Sequence, residues 1–80
     1  QNAFQQYNQN LSKYNYYKST ALPYAEIIIS TAKVGFRSGD IGYIEYLQAL
    51  QTATDVQLSY LQSVSQINQS IININFLINK

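Results

Sequence analysis

Apolar and small residues recur along this chain at alternating steps of three and four. In the first half they fall at Phe4, Tyr7, Leu11, Tyr14, Ala21, Ala25, Ile28, Ala32 and Gly35, with Lys18 filling the one gap. In the second half they fall at Tyr46, Leu50, Ala53, Tyr60, Val64, Ile67, Ile71, Ile74 and Ile78, with Gln57 as the polar exception. That spacing is the signature of a helix face that winds gently against a neighbour. Lys18 fits such a face if its stem lies along apolar surface and its ammonium stays in water. The two patterns predict a helix over about 2–36 and a second over about 43–78, each roughly 35 residues or about 50 Å long.

Between them lies Phe36-Arg37-Ser38-Gly39-Asp40-Ile41-Gly42, where the glycines cluster. Gly39 is placed to take the left-handed conformation that closes a helix. Lys33 and Arg37 in the last turn complement the helix dipole. Gly42 is one candidate N-cap for the second helix, with Glu45 three residues on, and Asp40 is its rival. The expected fold is therefore all-α: a long antiparallel helical hairpin, coiled-coil-like, with its turn at about 37–42. All of this is ordinary helix-hairpin chemistry. A functional reading adds that Phe36 and Ile41 flank the turn and are offered at its tip.

Two places compete with the plain hairpin. Pro23 removes a backbone donor and crowds the preceding turn, costing roughly 3 kcal/mol inside a helix. Either two helices meet near Thr20-Ala21-Leu22, with Ser19 or Thr20 capping the restart, or one helix is kinked near Pro23; the register running through Tyr14, Lys18 and Ala25 favours the kink. At the other end, Ile-Asn-Ile-Asn from Ile71 to Ile78 has the period of a strand, while the heptad carries straight through it. The heptad favours helix. Beyond the seam, Tyr16, Tyr17, Leu22, Tyr24, Ile27 and Ile29 in the first arm, and Tyr43, Leu47, Leu58, Leu61, Ile72 and Leu77 in the second, widen the apolar surface past what one partner helix covers.

Composition narrows the function. The 80 residues contain no cysteine, histidine or methionine, so disulfides, the common soft-metal ligands and the familiar nucleophile–base pairs are missing. Net charge is +1 with 11% charged residues, and no basic cluster exists to neutralise a run of phosphates, which argues against nucleic acid as a partner. Glu26, Asp40, Glu45 and Asp55 form no close pair in sequence for acid–base work. The tyrosines sit at helical spacing and read as packing. No enzyme, cofactor or metal is expected. The longest apolar run, Ile27-Ile28-Ile29, is far from the ~20 residues of a membrane span, so no direct membrane contact is expected. Gln1-Asn2-Ala3 has no signal-peptide character, and both ends run out in mid-pattern, as expected of a piece of a longer chain.

The stretch Ala32-Lys33-Val34-Gly35-Phe36-Arg37-Ser38-Gly39-Asp40-Ile41-Gly42-Tyr43-Ile44-Glu45-Tyr46-Leu47-Gln48-Ala49-Leu50, with Leu22-Pro23 and Ala25 before it and Ala53, Tyr60-Leu61 and Asn75-Phe76-Leu77-Ile78 after it, resembles the TolC-type outer-membrane efflux family. Gly-Asp-Ile-Gly-Tyr-Ile-Glu-Tyr-Leu-Gln is most similar to heavy-metal efflux members, including modules fused to resistance–nodulation–division transporters. The resemblance implies a periplasmic hairpin of a trimeric channel, packed with others into a hollow cylinder. It implies a turn that docks a membrane-fusion adaptor, and an inner-membrane resistance–nodulation–division pump as a further partner. It places Phe36, Ser38, Gly39 and Ile41 in the docking tip, and Glu45 facing the lumen near the constriction. The family often has tyrosine where this chain has Phe36, and a second acid where it has Gln48, so a hydroxyl bond of the closed state and one acidic ring are missing. The competing expectation is a self-associating helical module that buries two hairpins as a four-helix bundle.

Overall fold

The structure, a computed structural model, describes residues 2–79. Among these residues the chain is all-helical. Helix α1 spans Ala3–Tyr16, a π-helical turn follows over Tyr17–Ala21, α2 spans Leu22–Ser38 and α3 spans Tyr43–Ile78. The molecule is elongated, 61 × 18 × 17 Å. The Ile-Asn repeat is helix, not strand, because α3 runs through it to Ile78.

Helix α1 starts with reciprocal caps. The Asn2 side chain accepts from the Gln5 N–H at 2.8 Å, and Gln5 Oε1 accepts from the Asn2 N–H at 3.4 Å. Each bond satisfies a donor that the first turn leaves unpaired. No side chain caps α2. Ser19 instead donates to the Asn15 carbonyl at 2.6 Å, and the chain passes from α1 to α2 through the π turn. In that turn the Leu22 N–H reaches back to the Tyr17 carbonyl, one residue further than in an α-helix. The longer loop lies directly before Pro23, whose ring would otherwise press on the Ser19 carbonyl.

Helix α3 lies against α1, the π turn and α2 in succession. The Asn10 amide donates to Ser70 Oγ at 2.6 Å and to the Gln66 carbonyl at 3.3 Å. Tyr14 stacks near Tyr60, with centroids 5.9 Å apart, and Phe36 stacks on Tyr46 at 5.0 Å. The order of contacts along the first arm is thus the reverse of that along α3.

The seam between them is built from small side chains. Ala25 and Ala53 are 0% exposed, and Ala21, Ala32, Ser63, Ser70 and Ile67 complete the buried set. On α3 the covered positions include Tyr46, Ala49, Ala53, Val56, Tyr60, Ser63, Ile67, Ser70 and Ile74, in unbroken steps of three and four, and Leu50, Ser59 and Val64 are half-buried beside them. Of the register expected from spacing, Tyr46, Leu50, Ala53, Tyr60, Val64, Ile67 and Ile74 are covered, and three positions depart from it. Gln57, Ile71 and Ile78 are exposed, and Val56 and Ser70 hold the seam beside them; on the first arm Phe4 and Lys18 are exposed, and Ala3 and Tyr17 turn inward. Small residues let helix axes approach toward the short end of the 8–10 Å range, but each buried methyl contributes only about 0.8 kcal/mol. Most of the large apolar side chains therefore lie outside the seam.

Candidate docking tip and flanking faces

The turn is set by Gly39, which has φ 84° and ψ 7°. Its N–H donates to the Phe36 carbonyl at 3.3 Å, and the Asp40 N–H donates to the Gly35 carbonyl at 2.8 Å. These two bonds are the paired closure of a helix C-terminus that needs a left-handed residue between them. The Ile41 N–H also reaches the Gly35 carbonyl, at 3.2 Å. Ser38 Oγ lies 3.1 Å from both the Gly35 carbonyl and Asp40 Oδ2, and its single proton serves one at a time. The Asp40 carboxylate is thereby drawn to Ser38 and does not cap α3. That role falls to Gly42, whose N–H donates to Glu45 Oε1 at 3.2 Å. Having no side chain, Gly42 supplies only half of a reciprocal cap, and the Glu45 carboxylate adds negative charge at the helix N-terminus.

The residues expected at the tip divide into two groups. Ser38 and Gly39 are exposed on the bend. Phe36 is 40% exposed and leans onto the second arm, flat against Tyr46 and 6.0 Å from Tyr43. Ile41 is half-buried, not freely offered: its side chain lies over Gly35, where an added Cβ would stand 3.4 Å from Ile41 Cγ1. The glycine at 35 makes room for that fold-back. Sequence reasoning missed the Phe36–Tyr43–Tyr46 cluster, although an aromatic one helical repeat before the α3 start and another in its first turn were visible. Below the bend, Tyr24, Ile27, Val34, Ile41 and Ala49 line an open groove of about 780 Å³.

Away from the tip, the outer surface of α3 splits lengthwise. Glu45, Gln48, Thr52, Asp55, Ser59, Gln62, Gln66, Gln69 and Asn73 follow one another at steps of three and four as a wholly polar strip. Asp55 is steadied by the Gln51 amide at 2.9 Å. On the other side Ile44, Leu47, Leu58, Leu61 and Ile72 are exposed apolar residues on one line, in three patches separated by the polar pairs Gln51–Thr54 and Ser65–Asn68, with Ile44 70%, Leu58 55% and Ile72 58% exposed. Glu45 and Gln48 thus share one face, as the first two members of the polar strip. The cations among the described residues, Lys13, Lys18, Lys33 and Arg37, all lie on the first arm together with Glu26, whereas α3 carries Glu45 and Asp55 and no cation.

The remaining polar features are structural. Asn10, Ser70 and Gln66 join the arms at the far end, and buried Ser63 donates to the Tyr60 carbonyl at 2.6 Å. The hydrogen bond with Tyr14 raises the Tyr60 phenol above its ordinary value, desolvation adds to the rise, and Lys18 opposes it. Lys18 Nζ stands 5.7 Å from the Tyr14 ring centroid. Among the described residues no three acids converge to hold a metal ion, and no helix is long and apolar enough to cross a membrane.

The exposed area is large for a chain of this size. The surface is 5861 Å², against about 4,900 Å² for a compact monomer of equal mass. The excess of roughly 1,000 Å² is comparable to one partner's share of a standard interface, about 800 Å². Comparison with known protein families, characterised proteins and solved structures finds no match to this chain.

Proposed function

We propose that the chain is a periplasmic helical hairpin of a TolC-type outer-membrane efflux channel: antiparallel and coiled-coil-like, with its first arm kinked near Pro23. The observation that carries this reading is the lengthwise split of α3. A wall element of a water-filled tunnel needs one polar face toward the lumen and one apolar face toward the next helix in the wall. The strip from Glu45 to Asn73 supplies the first, and the apolar patches Ile44–Leu47, Leu58–Leu61 and Ile72, with the polar pairs Gln51–Thr54 and Ser65–Asn68 between them, supply the second. A small-residue seam with large side chains outside suits a piece whose main burial is against neighbours.

In this reading the full-length protein is a trimer in the Gram-negative outer membrane. Glu45 and Gln48 face the lumen near its constriction, and the turn docks a membrane-fusion adaptor that bridges to an inner-membrane resistance–nodulation–division pump. Phe36, Ser38, Gly39 and Ile41 form the docking tip, with Ile41 acting from its seat on Gly35. The cargo class follows the resemblance to heavy-metal efflux members and is supported by a polar strip whose only charges are Glu45 and Asp55.

The test is Gly39→Trp in the full-length protein, with cysteine cross-linking from Ser38→Cys to the adaptor and an efflux assay. Loss of both cross-link and efflux, with normal trimer assembly, is expected. Unchanged cross-linking and efflux refute the docking role. A second reading, a self-associating module that forms a four-helix bundle, is supported by the same roughly 1,000 Å² of excess surface. The sequence flanking this segment separates the two: a second copy of the helical pattern with barrel strands between favours the channel.

A further inference from the structure

The first arm contains a break that the second lacks. The Leu22 N–H is committed to the Tyr17 carbonyl, and Pro23 has no N–H to give. The Lys18 carbonyl therefore loses its donor at i+4 to the π bond and has none at i+5, and the Ser19 carbonyl has none at i+4. Lys18, Ser19 and Thr20 are all exposed, so these carbonyls are open to solvent. Such gaps in the ladder are where helices bend.

The seam changes step at the same point. Covered residues run Tyr14, Tyr17, Ala21, then Ala25 and Ile28, with two successive steps of four. Doubling the longer step is the stutter that unwinds a supercoil locally, and the π turn, with more residues per turn, supplies the difference. Beyond it α1 has no fully buried residue, whereas α2 contributes Ala25 and Ala32, and α1 is tied to α3 by the Asn10 bonds to Ser70 and Gln66 and by the Tyr14–Tyr60 stack. An open groove of about 340 Å³ beside the turn, between Tyr17, Ala21, Thr52, Asp55 and Val56, leaves room for displacement. Opposite, α3 is one uninterrupted helix from Tyr43 to Ile78.

We propose that the Tyr17–Ala21 turn is a built-in joint, about which α1 tilts on α3 while α2 and the glycine turn stay fixed. The joint does not depend on the channel reading. In a wall element it lets the tip and the far end answer to different neighbours; in a free module it lets one end of the hairpin open.

Hydrogen exchange by NMR on the 80-residue chain, together with spin labels at Ser12→Cys and Ser30→Cys, tests it; the absence of native cysteine makes the labelling clean. The Thr20, Ala21 and Tyr24 amides exchange at least tenfold faster than those of Ile28 to Ala32, and the label distance, near the ~27 Å of an 18-residue helical rise, is broadly distributed. Pro23→Ala restores a donor, slows the fast amides at least tenfold and narrows the distribution. Equal protection on both sides of the turn overturns the joint. So does a smooth gradient of exchange from Ala3 onward, which is end fraying, or a distribution that Pro23→Ala leaves unchanged. The wild-type exchange profile decides alone if the variant misfolds.

Discussion

Gly39 offers a clean separation of backbone strain from packing. Its φ of 84° is the one positive value among the described residues, and a Cβ added there meets nothing within 4 Å. Substitution thus costs only the left-handed conformation, about 1–2 kcal/mol for an L-residue with a side chain. Gly39→Ala is expected to destabilise by that amount, and Gly39→Asn by less, because asparagine tolerates this region. For a chain of this size about 1 kcal/mol corresponds to 4–8 °C in Tm, so the alanine variant should melt roughly 5–15 °C lower by circular dichroism. A chemically synthesised chain with D-alanine at 39 reverses the sign. The D-residue prefers positive φ and finds open space, so it should gain about 0.4–1 kcal/mol through loss of unfolded-state entropy. If L- and D-alanine shift the melt equally, the cost is not conformational and the account of the turn fails. Urea unfolding at constant m-value guards against changes in the unfolded state.

Two further tests address the seam and the outer strips. Asn10→Ala leaves buried Ser70 without its 2.6 Å partner and should cost about 1–3 kcal/mol; the Asn10→Ala/Ser70→Ala double variant should recover part of it, and strict additivity in the urea cycle would show that the bond contributes nothing. Leu58→Glu with Leu61→Glu changes two exposed positions, so intrinsic stability should move by less than about 0.5 kcal/mol per site while self-association in sedimentation is lost. A wild-type chain that sediments as a highly stable monomer at all concentrations would contradict the interface argued from its excess surface.

Much of the architecture was legible in residue spacing. The column Tyr7, Tyr14, Ala21, Ile28 and Gly35 faces the second arm as the heptad predicts. The left-handed Gly39 and the Glu45 bond to the Gly42 N–H follow from glycine chemistry and the anionic first turn. Where the reading slipped, it carried one alternation of three and four through every turn, whatever residue the step landed on. It thus placed Gln57 and Ile71 on the seam, one residue beyond Val56 and Ser70. The signal that would have corrected it was Ala49, Ala53, Ser63 and Ser70, small residues at heptad spacing. The π turn was beyond reach for a different reason: Pro23 announces a disturbance, but whether the helix restarts with a cap or absorbs it depends on which residues the second arm covers.

The inversion of size across the seam is a main support for the proposed reading. A hairpin meant to stand alone gains most by placing leucine and isoleucine between its arms, since burying each contributes about 1.5–3 kcal/mol. Here the fully covered positions are largely alanine and serine, and isoleucine, leucine and tyrosine stand in solvent. Close axial approach through small residues fixes the spacing of the two arms but leaves little stabilisation within them. In the proposed reading the compensating burial comes from outside, over the exposed apolar patches of α3 between Ile44 and Ile72 and those of the first arm at Tyr24, Ile27 and Val34. The polar strip from Glu45 to Asn73 limits where that partner sits, because covering it would desolvate amides and carboxylates that the local bonds from Gly42 to Glu45, Gln51 to Asp55 and Gln69 to Asn73 satisfy only in part. A neighbour on one flank and water on the other is the arrangement that satisfies both strips at once.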